Sequence, residues 1–122
     1  GVALAGHVVI GNYAIIGGLA AVHQFIHIGD HAMISGGALV RKDVPPYILA
    51  AGNGAEPKGL NSEGLKRRGF STDQISAIKS AYRTLYRKGL KVSDALEEID
   101  DSDPSVADFT NFVKQSSRGI IR

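Results

Sequence analysis

The 122 residues carry 14 Lys and Arg against 12 Asp and Glu, with 43% apolar and 21% charged side chains, the balance of one ordinary folded domain or two very small ones. Disorder, which needs low hydrophobicity and high net charge, is excluded, and so is a membrane span, because the longest apolar stretch, Ala14 to Val22, is broken by Gly17 and Gly18. Without cysteine there are no disulfides, thiolate metal sites or cysteine nucleophiles, and with no basic segment leading into an apolar one at the start, a cytoplasmic protein is expected.

From Leu4 every sixth residue is aliphatic: Leu4, Ile10, Ile16, Val22, Ile28, Ile34 and Val40. Two positions earlier in each unit stands another small or branched aliphatic, from Val2 and Val8 through Ala32 and Ala38 to Val44. A helix would repeat at three and four, and a hairpin meander would need turns every eight to twelve residues. Period six with internal alternation means short strands, aliphatics inward, each followed by a corner. Gly11, Gly17 and Gly29 follow the main aliphatic, and glycine suits a corner because it adopts positive φ. Three strands close a triangular coil of about eighteen residues, so residues 2–44 predict a left-handed parallel β-helix of a little over two coils. A coil is covered by its neighbours on both sides. A repeat entered in mid-unit at Gly1 therefore leads us to expect further coils upstream, or an oligomer covering that end.

The composition changes near residue 57. Ten of the 15 glycines precede it, and the first 57 residues carry 2 basic and 3 acidic side chains against 12 and 9 in the remainder. The reading is a β-helical part with its exit loop, 1–57, and a C-terminal helical domain, 58–122. Pro45-Pro46-Tyr47 is expected to stop the repeat, since proline donates to no ladder, and Ala51 to Glu63 to form a loop. Ser71 to Gln74 reads as a capping box opening a helix that ends near Arg87-Lys88-Gly89. Ser93 is placed as the cap of a short second helix, and Asp103-Pro104 opens a third. The aromatics Phe70, Tyr82, Tyr86, Phe109 and Phe112 are expected in the core of these three helices.

All four histidines, His7, His23, His27 and His31, lie in the repeat at phases that point outward. Such residues suit a solvent-facing or interface position, a general base in a groove between subunits, or a zinc site shared between subunits. Lys66-Arg67-Arg68 is either a solvated run or a phosphate site, because an Arg fork matches phosphate oxygens, with Asn61 and Glu63 near enough for sugar hydroxyls. No nucleotide-binding glycine motif is present, and a net charge of +2 without aromatic–basic interleaving argues against nucleic acid.

Several strings carry a resemblance. Asp43-Val44-Pro45-Pro46-Tyr47 with Ala51-Gly52-Asn53 resembles the exit of hexapeptide acyltransferases in general. More specific are Leu4-Ala5-Gly6-His7, Ile15-Ile16-Gly17-Gly18, Ala21-Val22-His23-Gln24-Phe25, the run from Gly59 to Phe70, and the closing Ser117-Arg118-Gly119-Ile120-Ile121-Arg122. Together they resemble the C-terminal portion of the acyl-carrier-protein–UDP-N-acetylglucosamine O-acyltransferases of lipid A synthesis. The resemblance implies a homotrimer with sites in grooves between subunits, and transfer of a β-hydroxyacyl chain from acyl carrier protein to the sugar 3-hydroxyl. Neither a metal nor a cofactor is implied. It places His7 at the sugar, Gly18 at a backbone contact, and His23 and Gln24 near the nucleotide and acyl groups. Met33 falls in the acyl-chain region, and Asn61, Glu63, Arg67 and Arg68 fall near the uridine nucleotide. The family's general base belongs to a His-x-x-His segment upstream of Gly1, so no catalytic residue is assigned in this chain, which is expected to be inactive alone. Lys79, Arg83, Arg87 and Lys88 would suit docking of the acidic carrier protein, and a solvated helix face accounts for them equally well. Two other readings stay open: a non-catalytic trimeric module that binds nucleotide-sugar, and a hexapeptide transferase with another acyl donor.

Overall fold

The computed structural model describes all 122 residues. Seven two-residue strands recur every six residues: β1 (Ala3–Leu4), β2 (Val9–Ile10), β3 (Ile15–Ile16), β4 (Ala21–Val22), β5 (His27–Ile28), β6 (Met33–Ile34) and β7 (Leu39–Val40). Each pairs in parallel with a strand one coil away, in a register of eighteen residues such as Ala3↔Ala21, Val9↔His27 and Ile15↔Met33. Three ladders result, β1-β4-β7, β2-β5 and one beginning β3-β6. They are the three sides of the left-handed parallel β-helix. Between the sides lie three corner columns, at residues 5–8 and 23–26, at 11–14 and 29–32, and at 17–20 and 35–38.

The inward aliphatics become a dry core once a coil has a neighbour on each side. Val22, Ile28, Ile34 and Val40 are buried, whereas in the first coil Leu4 is 50% and Ile10 37% exposed. The coil also continues past the prolines. β8 (Ile48–Ala51) pairs in parallel with β6, Met33↔Leu49 and Ile34↔Ala50, so a shortened third coil forms where an end was expected. Pro45 and Pro46 occupy a corner, where no ladder donor is required, while Val44 on one side and Tyr47 on the other still donate to His27 and Asp30 carbonyls. The anticipated loop also contains a strand. β9 (Glu56–Leu60) folds back antiparallel on β8, and it crosses residue 57, so coil and helices share a strand.

The corner glycines work differently from the expectation. Gly11, Gly17 and Gly29 do not have positive φ. Each sits where a Cβ would collide with the next coil, 2.4 Å from Asp30 Oδ1, Gly36 N and Pro46 N respectively. The left-handed positions lie two residues later and are mostly not glycine: His7, Tyr13, Leu19, Phe25 and His31 have φ between 59° and 65°, followed by Gly37. That conformation costs an ordinary residue roughly 1–2 kcal/mol.

The C-terminal part holds four helices, one more than expected: α1 (Ser62–Arg67), α2 (Thr72–Tyr86), α3 (Val92–Glu98) and α4 (Pro104–Gln115). Helix α1 replaces the end of the anticipated loop. The capping box of α2 forms as read, with Ser71 and Gln74 exchanging side-chain and backbone bonds at 3.1 and 2.8 Å. Asp103 caps α4 before Pro104, but α3 starts after Lys91 without a side-chain cap, and Ser93 lies inside it. Ile78, Tyr82, Leu85, Ala95, Val106, Phe109 and Val113 form the helical core. Tyr86, Phe70 and Phe112 are partly buried against the core, and Phe70 and Phe112 also pack against His31 and His27 of the coils. The tail returns to the β-helix through Asp43, whose N–H donates to the Gly119 carbonyl while the Ile121 N–H donates to the Asp43 carbonyl, both at 2.9 Å.

Candidate functional site

Strict six-residue periodicity makes each corner a column of side chains stacked coil upon coil. On the first corner stand His7, then His23, Gln24 and Phe25 one coil below, all exposed. The His7 imidazole lies flat on the Phe25 ring, centroids 4.9 Å apart and planes 3° from parallel. The outward ring nitrogens, the Gln24 amide and a fixed aromatic platform can orient a polar ligand along this edge.

The second corner is aromatic. His31 stacks between Tyr13 at 5.1 Å and Tyr47 at 6.0 Å, and the edge of Phe70 meets it at 5.0 Å. Burial lowers the pKa of His31, with Asp30 opposing and Arg68 adding to the shift. Burial likewise raises the Tyr47 phenol, which donates to the Ser105 carbonyl at 2.9 Å and so ties α4 to the coil. Helix α1 is pinned to this corner by Asn61. Its amide donates to the His31 carbonyl at 3.0 Å and its oxygen accepts from Gly64 N–H at 3.2 Å, capping the helix. Asn61 is buried, so its first role is structural, while Glu63, Arg67 and Arg68 around it are exposed. The Arg68 guanidinium rests 3.6 Å over the Tyr13 ring.

Gly18 lies on the third corner, its carbonyl accepting from Gly37 N–H at 2.9 Å. Met33 faces outward on the adjoining side, in register with Ile15 and Leu49, a continuous apolar ladder. The expected site residues therefore fall into three groups around the triangular section: His7, His23 and Gln24; Asn61, Glu63, Arg67 and Arg68; Gly18 and Met33. One chain does not bring them together. No group of three His, Asp or Glu side chains is placed to hold a metal. No helix is long and apolar enough to cross a membrane.

Between β9 and α2 runs a groove of about 730 Å³ lined by Lys58, Lys79, Arg83, Arg87 and Lys88, with no acidic side chain in its wall. Lys58 was not anticipated there, because its strand was read as loop. The platforms Tyr13, Phe25 and Tyr47 were also missed. For Tyr13 and Phe25 the signal was available, since they stand three residues after Ile10 and Val22, the phase shared by His7 and His31, whereas Tyr47 falls outside the six-residue spacing.

The family model of UDP N-acetylglucosamine O-acyltransferase, domain 2, matches residues 43–121. The acyl-[acyl-carrier-protein]–UDP-N-acetylglucosamine O-acyltransferase of Burkholderia orbicola (strain MC0-3) is 52% identical over 126 aligned positions, covering 98% of this chain and 48% of that protein. Among solved structures, the UDP-N-acetylglucosamine acyltransferase of Francisella novicida matches with a TM-score of 0.95 at 46% identity, covering 100% of this chain and 46% of the other. The Arabidopsis UDP-N-acetylglucosamine acyltransferase matches at 0.93 and 36% identity, covering 99% and 46%. The chain spans about half the length of the relatives it matches. The chain belongs to the UDP-N-acetylglucosamine O-acyltransferase family.

Proposed function

We propose that these residues are the C-terminal portion of an enzyme that moves a β-hydroxyacyl chain from acyl carrier protein to the 3-hydroxyl of UDP-N-acetylglucosamine, the first step of lipid A synthesis. The observation that carries the reading is the outward stack of His7, His23 and Gln24 on one corner of a β-helix belonging to this family. In this reading His7 orients the sugar, and Gln24 with its neighbour His23 contacts nucleotide and acyl groups. The Gly18 backbone lines the groove, and Met33 with the Ile15–Leu49 ladder borders the acyl chain. Glu63, Arg67 and Arg68 hold the uridine diphosphate, with α1 positioned by Asn61. Placement of these groups on three corners suits a cytoplasmic homotrimer, in which a groove between subunits would face one copy's corner with another's. The cationic β9–α2 groove would receive the acidic carrier protein.

Chemically, a general base removes the sugar hydroxyl proton as the oxygen attacks the thioester carbonyl, backbone amides stabilise the oxyanion, and the adduct collapses to the ester as the C–S bond breaks and the carrier protein's thiolate leaves, taking the proton from the base. The base is assigned to the family's His-x-x-His segment, outside these residues. The test is an acyl-transfer assay of the purified chain with β-hydroxyacyl carrier protein and UDP-N-acetylglucosamine, with mass by light scattering. A trimer that binds UDP-N-acetylglucosamine without turnover is expected. Turnover would transfer the base role to a residue present here.

A further inference from the structure

The first corner does not end with Gln24. Eighteen residues below His23, Gln24 and Phe25 stand Arg41, Lys42 and Asp43. Arg41 and Lys42 are exposed, whereas Asp43 is buried. Its carboxylate accepts from Ser116 Oγ at 2.7 Å and from His27 N–H at 2.9 Å, and its backbone holds the tail at residues 119 and 121. Asp43 thus leaves the outward column, and the tail it fixes fills the place with Arg118, whose guanidinium sits 5.0 Å over the Phe25 ring. Stacked strands are ~4.8 Å apart. The edge accordingly passes within two coil spacings from His7, through His23 and Gln24, to three cations.

None of these cations takes part in either ion pair of the structure, Lys58–Glu56 or Lys88–Glu98. The two acids beside them are engaged elsewhere: the Asp43 carboxylate by Ser116 and the His27 N–H, and Glu56, which lines a depression with Arg41 and Lys42, by Lys58 at 3.4 Å. Three like charges held on one edge by a folded ladder repel one another, and a phosphate or diphosphate anion relieves that repulsion. The Arg118 fork, oriented by an aromatic face, matches two phosphate oxygens at once.

We propose that Arg41, Lys42 and Arg118 form a phosphate-binding ledge at the downstream end of the His7–His23–Gln24 corner, taking the phosphate of an extended substrate laid along that edge. This rests on the substrates proposed above, two of which carry phosphate: the diphosphate of UDP-N-acetylglucosamine and the phosphodiester of the carrier protein's prosthetic arm.

Calorimetric titration of the 122-residue chain with UDP-N-acetylglucosamine and, separately, with pantetheine 4′-phosphate distinguishes the sources. Arg118→Ala and the Arg41→Ala/Lys42→Ala double variant are each expected to weaken one ligand by about tenfold or more, the scale of one charged hydrogen bond. Arg118→Lys restores only part, and Phe25→Leu weakens the same ligand by freeing the guanidinium. Lys91→Ala, an exposed cation before α3, controls for net charge. Loss of the nucleotide-sugar assigns the ledge to the diphosphate, and loss of the pantetheine ligand assigns it to the prosthetic arm. Unchanged affinity for both in the Arg118 and double variants overturns the ledge, as does an equal loss in Lys91→Ala. A wild-type chain that binds neither ligand overturns the ledge and the proposed function together, whereas binding that depends on Arg67 but not on the ledge overturns the ledge alone.

Discussion

The side-chain amide of Asn61 donates to the backbone carbonyl of His31 at 3.0 Å while its oxygen caps α1 through Gly64 N–H. One buried residue thus joins the second corner of the β-helix to the helix bearing Glu63, Arg67 and Arg68. Asn61→Asp keeps the cap but replaces the donor by a carboxylate facing a carbonyl. It is expected to destabilise the fold by about 1–3 kcal/mol, the cost of a buried polar group left unpaired. Asn61→Ala also loses the cap, worth about 0.5–2 kcal/mol. Denaturant midpoints for both variants check this, and an Asn61→Asp midpoint equal to wild type would show that the tether carries no stability.

Coil contact supplies a second prediction. Gly17→Ala puts a methyl 2.4 Å from Gly36 N, backbone against backbone, whereas Gly6→Ala meets nothing within 4 Å and Gly6 is not left-handed. Gly17→Ala is expected to cost about 1–3 kcal/mol as an overpacked site, and Gly6→Ala to leave the thermal midpoint unchanged. Equal midpoints for the two variants would refute close coil approach as the reason for Gly17.

That contrast also shows what the sequence could convey. The hexad aliphatics fix the side chains that face inward, because period six with alternation has no other folded solution, and the coil follows from Leu4 to Val40. The task of Gly17 could not be read the same way, since a tight corner and a tight approach to the next coil both exclude a Cβ. The third coil was hidden because Pro45 and Pro46 look like a stop until Val44 and Tyr47 are seen to keep the ladder bonds on either side. β9 was hidden because Glu56-Pro57-Lys58-Gly59-Leu60 has little strand character and is held by β8 alone. Of the candidate site, the corner phases of His7 and His23 were legible. Asn61 was read as a ligand contact, whereas the structure spends its amide on the fold.

The aromatic second corner makes stability depend on pH. Burial keeps the His31 pKa below its ordinary value of 6.5, so the unfolded chain takes up a proton there more readily than the folded one. Stability from this group is therefore complete above about pH 6.5 and declines as pH falls toward the lower folded-state value. Asp30 opposes the shift and Arg68 reinforces it, and Tyr13, Tyr47 and Phe70 supply the surrounding rings. Urea unfolding at about pH 7.5 and 5.5 should show a larger loss for wild type than for His31→Asn, which tolerates the left-handed backbone but does not titrate. The other three histidines are common to both proteins. A variant as acid-sensitive as wild type would remove His31 from the account.

Arg67 provides the test of the nucleotide assignment. It sits in the last turn of α1, exposed, basic and in no ion pair. In the proposed function its fork meets the phosphates of UDP-N-acetylglucosamine, so Arg67→Ala is expected to lower affinity by about 1.5–3 kcal/mol, the scale of a charge-assisted hydrogen bond. The fold should be unaffected, because the side chain supports no neighbour, and an unchanged thermal midpoint separates lost contact from lost structure. Arg67→Lys, a point charge without the fork, should recover only part of the affinity. Calorimetry with UDP and with UDP-N-acetylglucosamine should give the same loss, since the missing contact is to phosphate rather than to sugar. A loss confined to the sugar-bearing ligand would move Arg67 away from the diphosphate.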